Sequence, residues 1–236
     1  MKIFKFGGAS IKDGESVKNV ASIIKTEGAK DTLVVISAMG KMTNAFEEVV
    51  ASYYNKEENL PNKLNFIEEY HKNIMSSLFD KEDVIYKDVD ILFGELGWFL
   101  SRNTSRRFNY VYDQIICFGE LLSTRIVSAY LEKIGQDNVW FDVRNFIKTD
   151  SNYRDAKVDW QLTEDIITAK VDVNKINITQ GFIAANDTEN TTTLGREGSD
   201  YTAGIFAYCL NAESVTIWKD VQGVLNADPR VFVSTV

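Results

Sequence analysis

The sequence predicts an α/β fold built on a mainly parallel sheet, and three observations carry that expectation. Lys2 to Phe6 (KIFKF) alternates polar and apolar residues, meets Gly7-Gly8, and is followed by Val17, Val20, Ala21 and Ile24 at helical spacing. Leu33 to Ile36 is a short continuous apolar run, the composition of a strand buried on both faces. It also ends in a glycine turn, Ser37 to Gly40, with a helix-like stretch beyond it. Val215 to Trp218 repeats the pattern and runs into Lys219-Asp220 and Gly223. Parallel strands place such turns on one edge of the sheet, at their carboxyl ends, where α/β proteins bind ligands.

The remaining elements follow in chain order. Asp13 or Glu15 opens the first helix. Asn55 to Asn62 is polar, carries Pro61 and reads as a loop. Leu64 to Phe79 and Val89 to Leu100 each hold one apolar stripe, so the stretch of about 62–103 reads as a helical insertion. Its stripes read first as packing surface and second as a homodimer interface. Gln114 to Leu131 is expected as one long helix. Trp140 to Asp142 and Phe146-Ile147 carry short strand signals, Ala156 to Val158 an edge strand, and Trp160 to Ala169 a helix. Ile176 to Ala184 is a buried strand with a break at Gly181.

Composition bounds the partners. With 236 residues, 44% of them hydrophobic, the chain suits one large α/β domain or two small ones. A net charge of −8 argues against a general nucleic-acid or acidic-membrane surface, so any anionic ligand needs local cations. No apolar run approaches the roughly 20 residues of a spanning helix. Cys117 and Cys209 sit in apolar surroundings and read as reduced core thiols of a cytoplasmic protein. His71, the one histidine, lies in a helix-like run and reads as a surface residue. The chemistry must then proceed without a histidine base or a His/Cys metal site.

The informative stretch is Thr191 to Ala203, TTTLGREGSDYTA. Gly195 and Gly198 bracket Arg196, and Ser199 reads as the N-cap of a helix whose first turn holds Asp200. Free N–H groups at a helix N-terminus, with a planar guanidinium beside them, make an anion site. Four turns that follow strands, Gly7-Gly8, Ser37 to Gly40, Gly195 to Gly198 and Asp220 to Gly223, would line one cleft. Its cations are Lys5, Arg196, Lys219 and Arg230; its acids are Glu120, Asp200, Asp220 and Asp228. This mix suits phosphoryl transfer, which depends mainly on positioning and charge neutralisation. A carboxylate acceptor is already a nucleophile and needs no base. Neither a P-loop nor a GxGxxG is present.

Six segments, KFGGAS (5–10), VVISAMGKMTN (34–44), FGELLS (118–123), TQGFIA (179–184), TTLGREGSDYTA (192–203) and WKDVQGVLNADPR (218–230), resemble the ordered motifs of aspartate kinase across nearly the whole chain. The resemblance implies the amino-acid-kinase (carbamate-kinase-like) fold, a three-layer α/β/α sandwich with a mainly parallel central sheet, in one catalytic domain over 1–236. It implies ATP, with Mg2+ held mainly through the nucleotide phosphates, and transfer of the γ-phosphoryl group to the side-chain carboxylate of L-aspartate. That reaction opens lysine, threonine and methionine biosynthesis.

The resemblance also implies roles. Lys5 would hold the transferring group and Asp200 would fix that lysine. Gly7, Gly8, Ser10, Gly198 and Ser199 would approach the phosphates. Ser37 and Thr43 would touch aspartate, Glu120 would pair with its α-ammonium and Arg196 with its α-carboxylate. Lys219, Asp220, Asp228 and Arg230 would frame the nucleotide. The sequence departs from the family pattern at Ala9 and Lys219 (each more often Thr), Glu197 (more often Gly) and Leu225 (often Tyr). The ACT-type regulatory segments of the family are not among these motifs, so the sequence reads as a C-terminally truncated catalytic piece. Two alternatives stay open: a sister kinase acting on glutamate, acetylglutamate or a nucleoside monophosphate, and a binding-competent but inactive module.

Overall fold

The computed structural model describes residues 1–28 and 30–219. Asp220, Asp228 and Arg230, with the turn Asp220 to Gly223 and Leu225, lie outside the described residues. Among the described residues the central sheet has five strands: β1 (Lys2–Phe6), β2 (Thr32–Ile36), β3 (Asn138–Trp140), β5 (Ile176–Gln180) and β8 (Ser214–Trp218). They lie in the order β3-β5-β2-β1-β8, and every neighbouring pair is parallel. A second sheet holds β4 (Lys148–Thr149), β6 (Ile183–Asn186) and β7 (Thr191–Thr193). There β4 pairs parallel and β7 antiparallel with β6.

The helices are α1 (Gly14–Glu27), α2 (Met42–Asn55), α3 (Leu60–Ser76), α4 (Ile85–Arg102), α5 (Phe108–Ile116), α6 (Phe118–Lys133), α7 (Trp160–Lys170) and α8 (Gly198–Cys209). Helix α6 packs on β2, β3 and β5 with α1 beside it. Helix α8 packs on β1, β2 and β8 with α7 beside it. The inner strands β1, β2 and β5 are buried on both sides, whereas the outer strands β3 and β8 are half-buried to exposed among the described residues. Ile3, Phe6 and Leu33 to Ile36 are fully buried, and each large side chain contributes about 1.5–3 kcal/mol by leaving water.

Register sets the site. Phe6 pairs with Ile36 and with Trp218, and Ile36 pairs with Gln180, so the parallel strands end at one level. The turns after β1 and β2 then meet. Gly40 N–H donates to Gly8 O at 2.9 Å, and a Cβ on Gly8 would lie 2.6 Å from Ala38 O and 2.7 Å from Gly40 O. Only glycine lets these two backbones approach so closely.

One of the two openings expected for α1 is met, and several other local expectations differ from the structure. Asp13 is the cap of α1, its carboxylate accepting from Ser16 N. The expected loop at 55–62 instead contains the start of α3, with Pro61 in its first turn, where a missing N–H costs nothing. The expected long helix over Gln114 to Leu131 is two helices. They break at Cys117, whose φ of −59° and ψ of −23° stay helical. Ser199 is not the N-cap of α8. The cap is Glu197, held at φ +54°, and the turn closes through Gly198 N to Gly195 O and Asp200 N to Glu197 O. His71 is fully buried rather than on the surface. It shares a face of α3 with Ile67, Ile74 and Met75, and burial pushes its imidazole down to about 4, so it stays neutral. Its Nδ1 lies 2.8 Å from Ile67 O and donates to it.

Candidate active site

Lys5 projects from β1 into a cleft of about 220 Å³ at the carboxyl edge of the sheet. The strands β1 and β2, the first turn of α6 and the N-terminus of α8 converge there. Seven residues singled out in the sequence share this cleft: Lys5, Ser37, Thr43, Glu120, Gly198, Ser199 and Asp200. Gly195, Glu197 and Phe182 complete its lining.

Lys5 Nζ lies 2.6 Å from Asp200 Oδ1, with 10% and 23% of the two side chains exposed. A pair this sheltered is screened less than a surface pair. Asp200 in the first turn of α8 also complements the positive end of the helix dipole. The lysine is thereby held facing the N-terminus of α8, where Gly198 N and Asp200 N already donate within the turn.

Glu120, unlike Asp200, is a fully sheltered acid of the cleft, 2% exposed. Its Oε1 accepts from Ala38 N at 3.3 Å, and its Oε2 has no hydrogen-bond partner among the described residues. Burial pushes this carboxyl up to about 8, and the Ala38 N–H opposes that shift. A buried acceptor oxygen without a donor costs free energy, so the site is built to receive a donor. Ser37, beside it, is held through Ser123 Oγ, which donates to Ser37 O at 2.7 Å.

The other expected site residues lie at different places. Gly7 is next to the lysine: a Cβ there would stand 3.7 Å from Lys5 Nζ. Gly8 forms the contact between the two turns. Arg196 sits exposed on the turn before α8 and has no ion-pair partner among the described residues. Ser10 and Lys219 lie away from the 220 Å³ cleft and line a separate one of about 340 Å³ beside Trp218.

Phe182 carries no expected role in the sequence, although TQGFIA is one of the six motifs. Its φ of +72° turns the chain between β5 and β6, and its amide donates to Thr202 Oγ1 of α8 at 3.0 Å. A non-glycine residue in the left-handed region is costly and is retained where its surroundings fix it. No composition signal marks it. Among the described residues no three His, Cys, Asp or Glu side chains converge as a metal site. No described helix is long and apolar enough to cross a membrane.

Known proteins resemble this chain along its length. The sequence model of the amino acid kinase family matches residues 1–235. The bifunctional aspartokinase/homoserine dehydrogenase 2 (chloroplastic) of Arabidopsis thaliana is 31% identical over 97% of this chain and 26% of its own length. Lysine-sensitive aspartokinase 3 of Escherichia coli is 30% identical over 97% of this chain and 51% of its own. The chain thus spans from a quarter to a half of these curated relatives. The crystal structure of E. coli aspartokinase III in complex with aspartate and ADP (R-state) superposes with a TM-score of 0.89 at 31% identity, over 100% of this chain and 52% of that one.

Proposed function

The chain belongs to the amino acid kinase family, and from that premise we propose that it is the phosphoryl-transfer unit of an aspartate kinase. One observation carries the reading. A Lys5–Asp200 pair and a buried, half-satisfied Glu120 face the same cleft at the N-terminus of α8. The aspartate and ADP of the E. coli neighbour support the substrate pair.

In this reading Glu120 takes the α-ammonium of L-aspartate on its free Oε2, and Ser37 and Thr43 supply hydroxyls. Arg196 closes on the α-carboxylate as a bidentate clamp. An oxygen of the β-carboxylate attacks the γ-phosphorus of ATP. The bond to the β,γ-bridging oxygen breaks, and ADP leaves with that electron pair. The products are 4-phospho-L-aspartate and ADP, and no proton is removed. Lys5, oriented by Asp200, offsets the charge on the transferring oxygens, with the backbone N–H of Ser199 beside it. Gly7 and Gly8 let backbone N–H groups approach the phosphates.

Asp200 is already committed to Lys5, and no acidic cage is present among the described residues. That donor set suits Mg2+ carried by the nucleotide phosphates, where the ion neutralises their charge. The reading extends to lysine, threonine and methionine biosynthesis and to a cytoplasmic setting, supported by two buried free thiols. A homodimer through α3 and α4 is supported by the exposed Phe66, Ile91 and Trp98.

The test uses pH. Glu120 titrates near 8 in the folded, ligand-free chain, above its ordinary value of 4.5. A raised carboxyl binds its proton more tightly in the folded state, so its contribution to stability is present below 4.5 and is lost as pH rises through 8. Aspartate, whose ammonium needs the carboxylate, should bind roughly tenfold more tightly per pH unit from 6 towards 8. Glu120→Gln should abolish that slope, weaken aspartate and stabilise the ligand-free protein at pH 8 relative to wild type. Calorimetric titration and thermal unfolding across pH read both arms. A flat affinity profile in the wild type would remove Glu120 from the ammonium site.

A further inference from the structure

Strand β7 leads directly into the turn that carries Arg196, and among the described residues it is an outer strand of its sheet. An outer strand leaves a row of backbone N–H and C=O groups that need partners. Here two consecutive side chains of α5 supply them. Gln114 accepts from Thr191 N at 3.1 Å and donates from Nε2 to Thr191 O at 2.7 Å. Asp113 accepts from Thr193 N at 3.0 Å and from Thr193 Oγ1 at 2.9 Å. Ala156 N donates to Thr193 O at 3.0 Å, which completes the edge.

Asp113 does a second thing. Its Oδ2 also accepts from Arg154 N at 3.0 Å, so one fully buried carboxylate ties β7 to the loop before Ala156. That loop presses on the substrate turn. Gly195 stands at φ +77°, and a Cβ on it would lie 2.9 Å from Asp155 Oδ1. The turn then closes through Gly198 N to Gly195 O. Burial pushes the Asp113 carboxyl up to about 6, and the donors from Arg154 and Thr193 hold it down against that shift. It is therefore largely ionised at neutral pH, where charge-assisted bonds are strong.

We infer that Asp113, with Gln114, is a positioning residue: its carboxylate clamps β7 and the Arg154 loop together and so fixes where the Gly195–Asp200 turn presents Arg196. Neither side chain lines the cleft. The clamp rests on the proposed role of Arg196 for its effect on catalysis, but its geometry can be tested without that role.

Asp113→Ala and Asp113→Asn separate a clamp from general packing. The amide of Asn keeps a carbonyl for the two N–H donors and turns its NH2 to Thr193 Oγ1, which then accepts. Hydrogen–deuterium exchange of the ligand-free protein reads the 194–200 peptide directly. The alanine variant should exchange there at least tenfold faster, and the asparagine variant should stay near wild type. In kinase assays alanine should raise the KM for aspartate about tenfold, leave the KM for ATP within about twofold, and be rescued by asparagine. Unchanged exchange over 194–200, or equal impairment by Ala and Asn, would overturn the clamp. Should the alanine variant fail to fold, Gln114→Met removes two bonds of the same edge at similar volume, and its unchanged exchange would overturn the proposal equally. A wild-type chain that neither binds aspartate nor transfers phosphate would sink the kinase reading, while the exchange comparison would still decide the clamp.

Discussion

Arg196→Ala raises the KM for L-aspartate by roughly 10- to 100-fold and leaves the KM for ATP within about twofold; this is the expected result of removing one bidentate, charge-assisted contact worth about 1.5–3 kcal/mol. The structure makes the experiment clean. Arg196 is exposed and has no ion-pair partner among the described residues, so its loss orphans no buried charge. Thermal stability should stay within about 0.5 kcal/mol of wild type. Arg196→Lys should recover only part of the affinity, because an ammonium cannot span both carboxylate oxygens as a planar fork does. Steady-state kinetics with aspartate varied at saturating ATP, and the reverse, separate the two constants. An unchanged KM for aspartate would remove Arg196 from the substrate site.

Lys5→Met should lower kcat by about a thousandfold or more, equivalent to roughly 4 kcal/mol of transition-state stabilisation. The side chain is the cation at the centre of the cleft, 2.6 Å from Asp200. Its removal has two consequences that a second variant separates. It takes the positive charge away from the transferring oxygens, and it leaves Asp200 unpaired in a sheltered position, which costs stability. Lys5→Met combined with Asp200→Asn should recover the lost stability but not the turnover. Recovery of turnover in the double variant would mean that the pair is structural and that another group neutralises the phosphoryl charge.

Where the sequence was informative, it was so for physical reasons. Buried parallel strands leave unbroken apolar runs, and the turns after them carry glycine where backbones cross. The run 33–36 was visible for that reason, and 2–6 and 215–218 through β-type residues spaced by polar ones, and with them the edge on which Lys5 and Ser37 sit. The break at Cys117 was not visible, because its dihedral angles remain helical and neither Gly nor Pro marks it. Ser199 looked like a cap because serine usually is one. Gly198 lets the helix begin two residues earlier, and Glu197 takes the left-handed position that a glycine would occupy without strain. His71 follows Ile67 by four residues, so helical spacing already placed it on the apolar face; the charged neighbours around it hid that. The Asp113–Gln114 edge was invisible for a different reason. Its partners, Thr191 and Thr193, lie almost eighty residues away, and only the fold brings them together.

The most direct measurement of the proposed reaction is chemical trapping of its product. The chain is incubated with ATP, Mg2+ and one amino acid at a time in the presence of hydroxylamine, which converts an acyl phosphate to a stable hydroxamate. Aspartyl β-hydroxamate should form in step with ADP when L-aspartate is present, with background signal for L-glutamate or N-acetylglutamate and loss of the signal in Lys5→Met. Hydroxamate formed from glutamate or acetylglutamate instead, or a folded wild-type chain that yields none from aspartate, would contradict the proposed reaction.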